Sequence, residues 1–155
     1  MFLDFAMWAS DSAIGAGIRD SLWLFPVLEA VHLLALALLG GVIIVIDLRL
    51  CGIRFGDRSA PLLARDLQAW LAGSLVVLIV TGALLYASEA LKCYENPAFK
   101  LKMILLMIAV AFTFTVRQWT LGSERASSRW GLFVGGVSML LWFGVGAGGR
   151  GIGFY

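Results

Sequence analysis

Between Leu33 and Ile46 the chain runs through fourteen consecutive apolar or glycine residues, LLALALLGGVIIVI, inside a segment, Ser21 to Leu50, whose ionisable groups are Glu29, His32, Asp47 and Arg49. About 20 residues of helix, at about 1.5 Å each, cross the roughly 30 Å of a bilayer core. The segment therefore reads as a membrane-spanning helix with an ionisable pair, Glu29 and His32, set in one half. Three further apolar stretches follow, each bounded by polar residues or proline. The expected spans are 22–48, 67–88, 98–119 and 130–146, preceded by an interfacial segment over 1–20 and followed by a glycine-rich outer tail over 147–155. Short connections between them imply an all-α, up-and-down bundle of four transmembrane helices.

Composition agrees with a lipid solvent. The chain is 61% hydrophobic and 14% charged, with mean hydropathy +0.91, whereas soluble domains are about 25% charged. A net charge of +2 supplies no basic field for nucleic acid. The first twenty residues lack the basic start of a cleaved signal peptide, so the first span is expected to direct insertion. Seven arginines (Arg49, Arg54, Arg58, Arg65, Arg117, Arg125, Arg129) flank the connections after spans one and three, against five basic residues (Arg19, Lys92, Lys100, Lys102, Arg150) elsewhere. The positive-inside rule then places both termini outside a bacterial inner membrane crossed several times. Cys51 and Cys93 fall at opposite faces, which forbids a disulfide within the chain.

Candidate chemistry gathers in the outer half. Glu29 and His32 share a helical face, and ionisable groups at such depth usually point into the bundle toward a partner. Helix three offers Lys100, Lys102, Met103 and Met107 near that depth. Helix four is expected to offer Ser138, Met139 and Trp142, and helix two Thr81, Gly82 and Tyr86. Histidine and methionine are axial ligands of haem iron, and the same atoms suit a soft ion such as Cu(I). His32 is the candidate metal ligand, Glu29 its orienting neighbour, Lys102 with Met107 or Met139 the far side of a cofactor site, and Arg150 a counter-charge for a propionate. With one histidine per chain, bis-histidine ligation requires two subunits. No catalytic nucleophile with its base, P-loop or paired-carboxylate site is visible. Gly131 and Gly135 form a GxxxG spacing, which serves either dimerisation through helix four or packing inside the bundle. Asp47 and Arg49 suggest an interfacial or inter-helix ion pair.

The pattern S-x-W-L-F-P-x-x-E-x-x-H, an apolar span, D-L-R-L-x-G, then W-x-x-G, T-G-x-L-L and P-A-F-x-x-K-M resembles a family of small four-helix bacterial membrane proteins of unknown function. More distantly, a histidine in the outer half of helix one and a lysine opening helix three are similar to the membrane protoporphyrinogen oxidases and the copper-resistance D proteins. That resemblance implies haem or porphyrin binding at His32 and Lys102, with Lys100 as the competing register. The leading expectation is an inner-membrane, redox-associated protein holding b-type haem or another tetrapyrrole. It would exchange electrons with quinone or a periplasmic partner, as an accessory protein rather than a stand-alone enzyme. Copper or soft-ion handling and a structural anchor within a larger complex are the alternatives.

Overall fold

The computed structural model describes residues 2–53, 58–123 and 128–151. Arg54 and Arg125 of the arginine count, and residues 152–155 of the tail, lie outside the described residues. Seven helices follow in chain order: α1 (Phe2–Asp11), α2 (Ala13–Asp20), α3 (Leu24–Leu50), α4 (Ala60–Ser88), α5 (Ala90–Glu95), α6 (Pro97–Gly122) and α7 (Ser128–Gly151). Among the described residues there is no strand. Helices α3, α4, α6 and α7 have 27, 29, 26 and 24 residues. Even the shortest therefore reaches about 36 Å, enough to cross a bilayer core.

Local chemistry sets the helix starts. Ser12 caps α2 by accepting from the Gly15 N–H at 3.1 Å, and Asn96 caps α6 by accepting from Ala98 and Phe99, with Pro97 in the first turn where a missing N–H costs nothing. Pro61 does the same for α4. That helix accordingly begins at Ala60, seven residues before the expected start at 67, and its polar opening turns carry an Arg58–Asp66 ion pair at 2.5 Å. At the other extreme α7 continues to Gly151. Residues 147–151, expected as loop, are helical. The run packs on α6, with Gly148 and Gly149 against Lys102 and Gly151 beside Ala98, so tertiary contact overrides the low helix propensity of glycine.

The spans alternate in direction, and α3 packs along α4, α6 along α7, and α7 back on α3. The core is built from Leu39, Val42, Ile43 and Ile46 of α3 with Leu71 and Leu121. Large apolar side chains such as Leu34, Leu140 and Phe143 point outward, each more than 70% exposed, the inverse of a water-soluble bundle and the expected pattern for a lipid-facing surface.

At the end holding the termini, α1 and α2 lie against α4 and α5. The guanidinium of Arg19 donates to the Ser10 side chain and carbonyl and to the Ser88 carbonyl. Phe5 stacks on Tyr86, which stacks on Phe99. The N-terminal segment is thus helical and tied to the ends of the spans.

Candidate functional site

Two polar centres sit within the bundle, one in each half. The first, nearer the termini, is built on His32. Its Nδ1 lies 2.8 Å from Thr81 Oγ1, and the Thr81 hydroxyl lies 2.7 Å from the Val77 carbonyl. A hydroxyl has one proton, and the carbonyl can only accept. Thr81 therefore donates to Val77 and accepts from His32, so the imidazole carries a proton on Nδ1, and its neutral form keeps a lone pair on Nε2. Gly82 lets the ring lie close, since a Cβ there would stand 3.3 Å from His32 Cε1.

Lys102 enters the same region from α6. Its stem lies along Gly148 and Gly149 of α7, where added Cβ atoms would come within 3.2 Å and 3.4 Å of it, and its ammonium acts electrostatically on His32. Among the described residues no carboxylate forms an ion pair with Lys102. Lys100, the competing register, is exposed and sits over the Tyr94 ring at 5.3 Å.

The remaining candidates are placed differently from expectation. Glu29 is exposed, and Thr81 holds the histidine instead. A three-residue step leaves about 60° between two side chains on a helix, enough to turn Glu29 out of the bundle. Met107 is 68% exposed and faces the lipid side. Met139 is half-buried but adjoins Ser138, which belongs to the other polar centre. It lies nine residues from Gly148 in sequence, or about 13.5 Å along the axis, because α7 runs further than expected and shifts its register. Arg150 is exposed on the last turn of α7, and it is engaged in an interaction there.

The second centre lies toward the loops that carry the arginines. Arg117 Nε donates to Asp47 Oδ1 at 2.6 Å, with side-chain exposures of 2% and 0%. Asp47 thus pairs across to α6 and not with Arg49, whose Nε donates to the Arg58 carbonyl. Arg117 closes a π-helical turn, Thr113–Arg117, a local widening that is frequent at functional positions. Thr113, Arg117 and Thr120 form one buried face of α6. Trp142 Nε1 donates to Thr113 at 3.0 Å and Trp130 Nε1 to Thr120 at 3.1 Å, so two indole contacts flank the ion pair. Ser138 is turned toward the Asp47 carboxylate. Asp47 Oδ2, Arg117 Nη2 and Ser138 Oγ are buried with no further partner.

Sequence reasoning noted Asp47 and counted Arg117 only as a topogenic charge. The available signal was the spacing of Thr113, Arg117 and Thr120 at i, i+4 and i+7, a polar stripe on an otherwise apolar span. Replacing Trp142 by phenylalanine is expected to lower stability by about 1 kcal/mol, the scale of one inter-helix hydrogen bond in a membrane protein. Thermal denaturation in detergent measures it.

Neither thiol is activated by its surroundings. Burial pushes the Cys93 thiol up, with Glu89 adding to it, and burial followed by the Asp47 charge does the same for Cys51. Each is therefore protonated at neutral pH in the metal-free protein. Among the described residues no three of His, Cys, Asp and Glu converge as a metal set.

Four long apolar helices with buried polar centres define a multi-pass membrane protein of the helical-bundle class. Within that class the chain belongs to DUF6644, a family of unknown function, whose pattern covers residues 2–155. No curated protein and no solved structure matches it.

Proposed function

We propose that this membrane protein is redox-associated and holds a b-type haem or another tetrapyrrole in the half of the bundle nearer its termini, with His32 as the axial donor. The observation that carries the reading is the hydrogen-bond order at His32. Thr81 fixes the ring through Nδ1 and leaves the Nε2 lone pair for a ligand, which is how protein partners usually orient a metal-bound histidine. Bound iron would supply one-electron chemistry, placing the protein between quinone and an outer partner.

The residues present suit such a group. Gly82 removes side-chain bulk beside the imidazole, and Gly148 and Gly149 do so beside Lys102. Lys102 offers a cation without a carboxylate partner among the described residues, a match for a propionate or another anionic edge. Glu29 and Met107 drop out of the proposed site because they point away from it, and Met139 because of its depth.

The deciding measurement is the visible spectrum of detergent-purified protein made with ample haem, oxidised and then reduced with dithionite. A Soret band that shifts on reduction and is lost in His32→Ala is expected. Thr81→Val should keep the ligand but weaken retention by about tenfold or more, the usual effect of removing a partner that orients a ligating histidine. A featureless spectrum from well-folded, haem-supplied protein would overturn the reading.

A further inference from the structure

Arg117 has a second aspect that its pairing with Asp47 does not use. Beside it, between the loop-end turns of α4 and α6, lies a hollow of about 470 Å³ lined by Arg65, Gln68, Arg117 and Gln118, with Ile46 and Leu71 among its apolar walls. Its charged lining consists of two guanidinium groups, and among the described residues no acidic side chain lines it. Asp66, next to Arg65 in the chain, is engaged with Arg58. Arg117 Nη2 is left without a hydrogen-bond partner although the side chain is only 2% exposed. An unsatisfied buried N–H on a charged group is costly, and here it belongs to a residue that lines the hollow.

We propose that this hollow binds the phosphate head of an anionic amphiphile, with Arg117 Nη2 and the Arg65 guanidinium donating to phosphate oxygens, the two glutamine amides at its rim, and the apolar walls receiving the start of the tail. Guanidinium is the preferred partner of phosphate because its N–H groups match two oxygens at once. Basic pockets between membrane helices at the cytoplasmic face bind lipid head groups of this kind, and this hollow lies at the arginine-rich loop end that the charge bias assigns to that face. The site is independent of the His32 centre.

The test uses full-length protein, stripped of lipid in a non-ionic detergent, with melting temperature and native mass spectrometry read after addition of phosphatidylglycerol, phosphatidylcholine or inorganic phosphate. Phosphatidylglycerol is expected to be retained and to raise the melting temperature. Binding should weaken about tenfold in Arg65→Gln, the loss of one charge-assisted contact. Arg65 is exposed on its helix, so this variant keeps the fold and the Asp47–Arg117 pair. Protection that inorganic phosphate does not reproduce assigns the site to a lipid head group, and equal protection by inorganic phosphate assigns it to a soluble phosphate. The proposal is overturned if phosphatidylcholine protects as well, if no addition protects, or if Arg65→Gln binds like the parent.

Discussion

Arg117→Leu is expected to cost about 3–5 kcal/mol of stability, because it strands the Asp47 carboxylate in the interior. Asp47 is fully buried, its Oδ1 accepts from Arg117, and its Oδ2 has no partner. Removing the guanidinium leaves an anion with only the Ser138 hydroxyl turned toward it, and the carboxyl must either take up a proton or draw water into the bundle. A buried pair is nonetheless weak evidence of net stabilisation, since desolvating two charges offsets most of their attraction. The double variant Asp47→Leu with Arg117→Met should therefore recover most of the loss, landing within about 1–2 kcal/mol of the parent. Denaturant or thermal unfolding of the detergent-solubilised protein reads both. If the single variant melts like the parent, the carboxylate is not held by Arg117 and the pairing across α3 and α6 is wrong. If the double variant is as unstable as the single, the site needs its polarity for more than charge balance, as a bound ligand at Nη2 would require.

Which parts of this arrangement could be read beforehand follows from which interactions are local. The four spans were legible because the bilayer dictates length and composition residue by residue, and because Pro97 marks the start of the third within a turn of itself. The ends were less so. Arg65 and Asp66 look like loop by composition, yet Pro61 permits a helix start well before them. The glycine-rich end from Ala147 to Gly151 looks like loop because glycine is a poor helix former, and the helix persists because this end packs on Lys102 and Ala98 of α6. That misjudged end carried the depth error for Met139, since helix four was placed too shallow relative to Lys102. His32, Thr81, Gly82 and Lys102 were all anticipated at one level, and the structure brings them into one neighbourhood. The hydrogen-bond direction that makes Nε2 available depends on the Val77 carbonyl and could not be foreseen. The Asp47–Arg117 pair joins residues 70 apart in sequence, and its choice over Arg49 depends on how α6 faces α3, which no local pattern encodes.

Gly135→Leu is expected to separate α7 from α3 and to cost about 3 kcal/mol or more, at or beyond the usual range for overpacking. The GxxxG pair is spent inside the chain. A Cβ at Gly131 would meet the Leu50 carbonyl oxygen at 2.7 Å, and one at Gly135 would meet the Asp47 carbonyl oxygen at 2.7 Å and Cys51 Sγ at 2.8 Å. Two of those obstacles are backbone atoms of the last turns of α3, which cannot swing aside like the end of a side chain. Relief requires α7 to move, and moving it pulls Ser138 from the Asp47 carboxylate and strains the Trp130 and Trp142 contacts to α6. Gly136 is the control, because nothing stands within 4 Å of a Cβ built there, so Gly136→Ala should be neutral or slightly stabilising through higher helix propensity. Melting temperatures of the two variants, read beside their oligomeric state in detergent, separate the two uses of the motif. A folded, fully stable Gly135→Leu protein that has lost a dimer would reassign the glycines to a subunit interface. An unstable one with unchanged assembly places the close approach where the structure has it, between α7 and the end of α3 that carries Asp47.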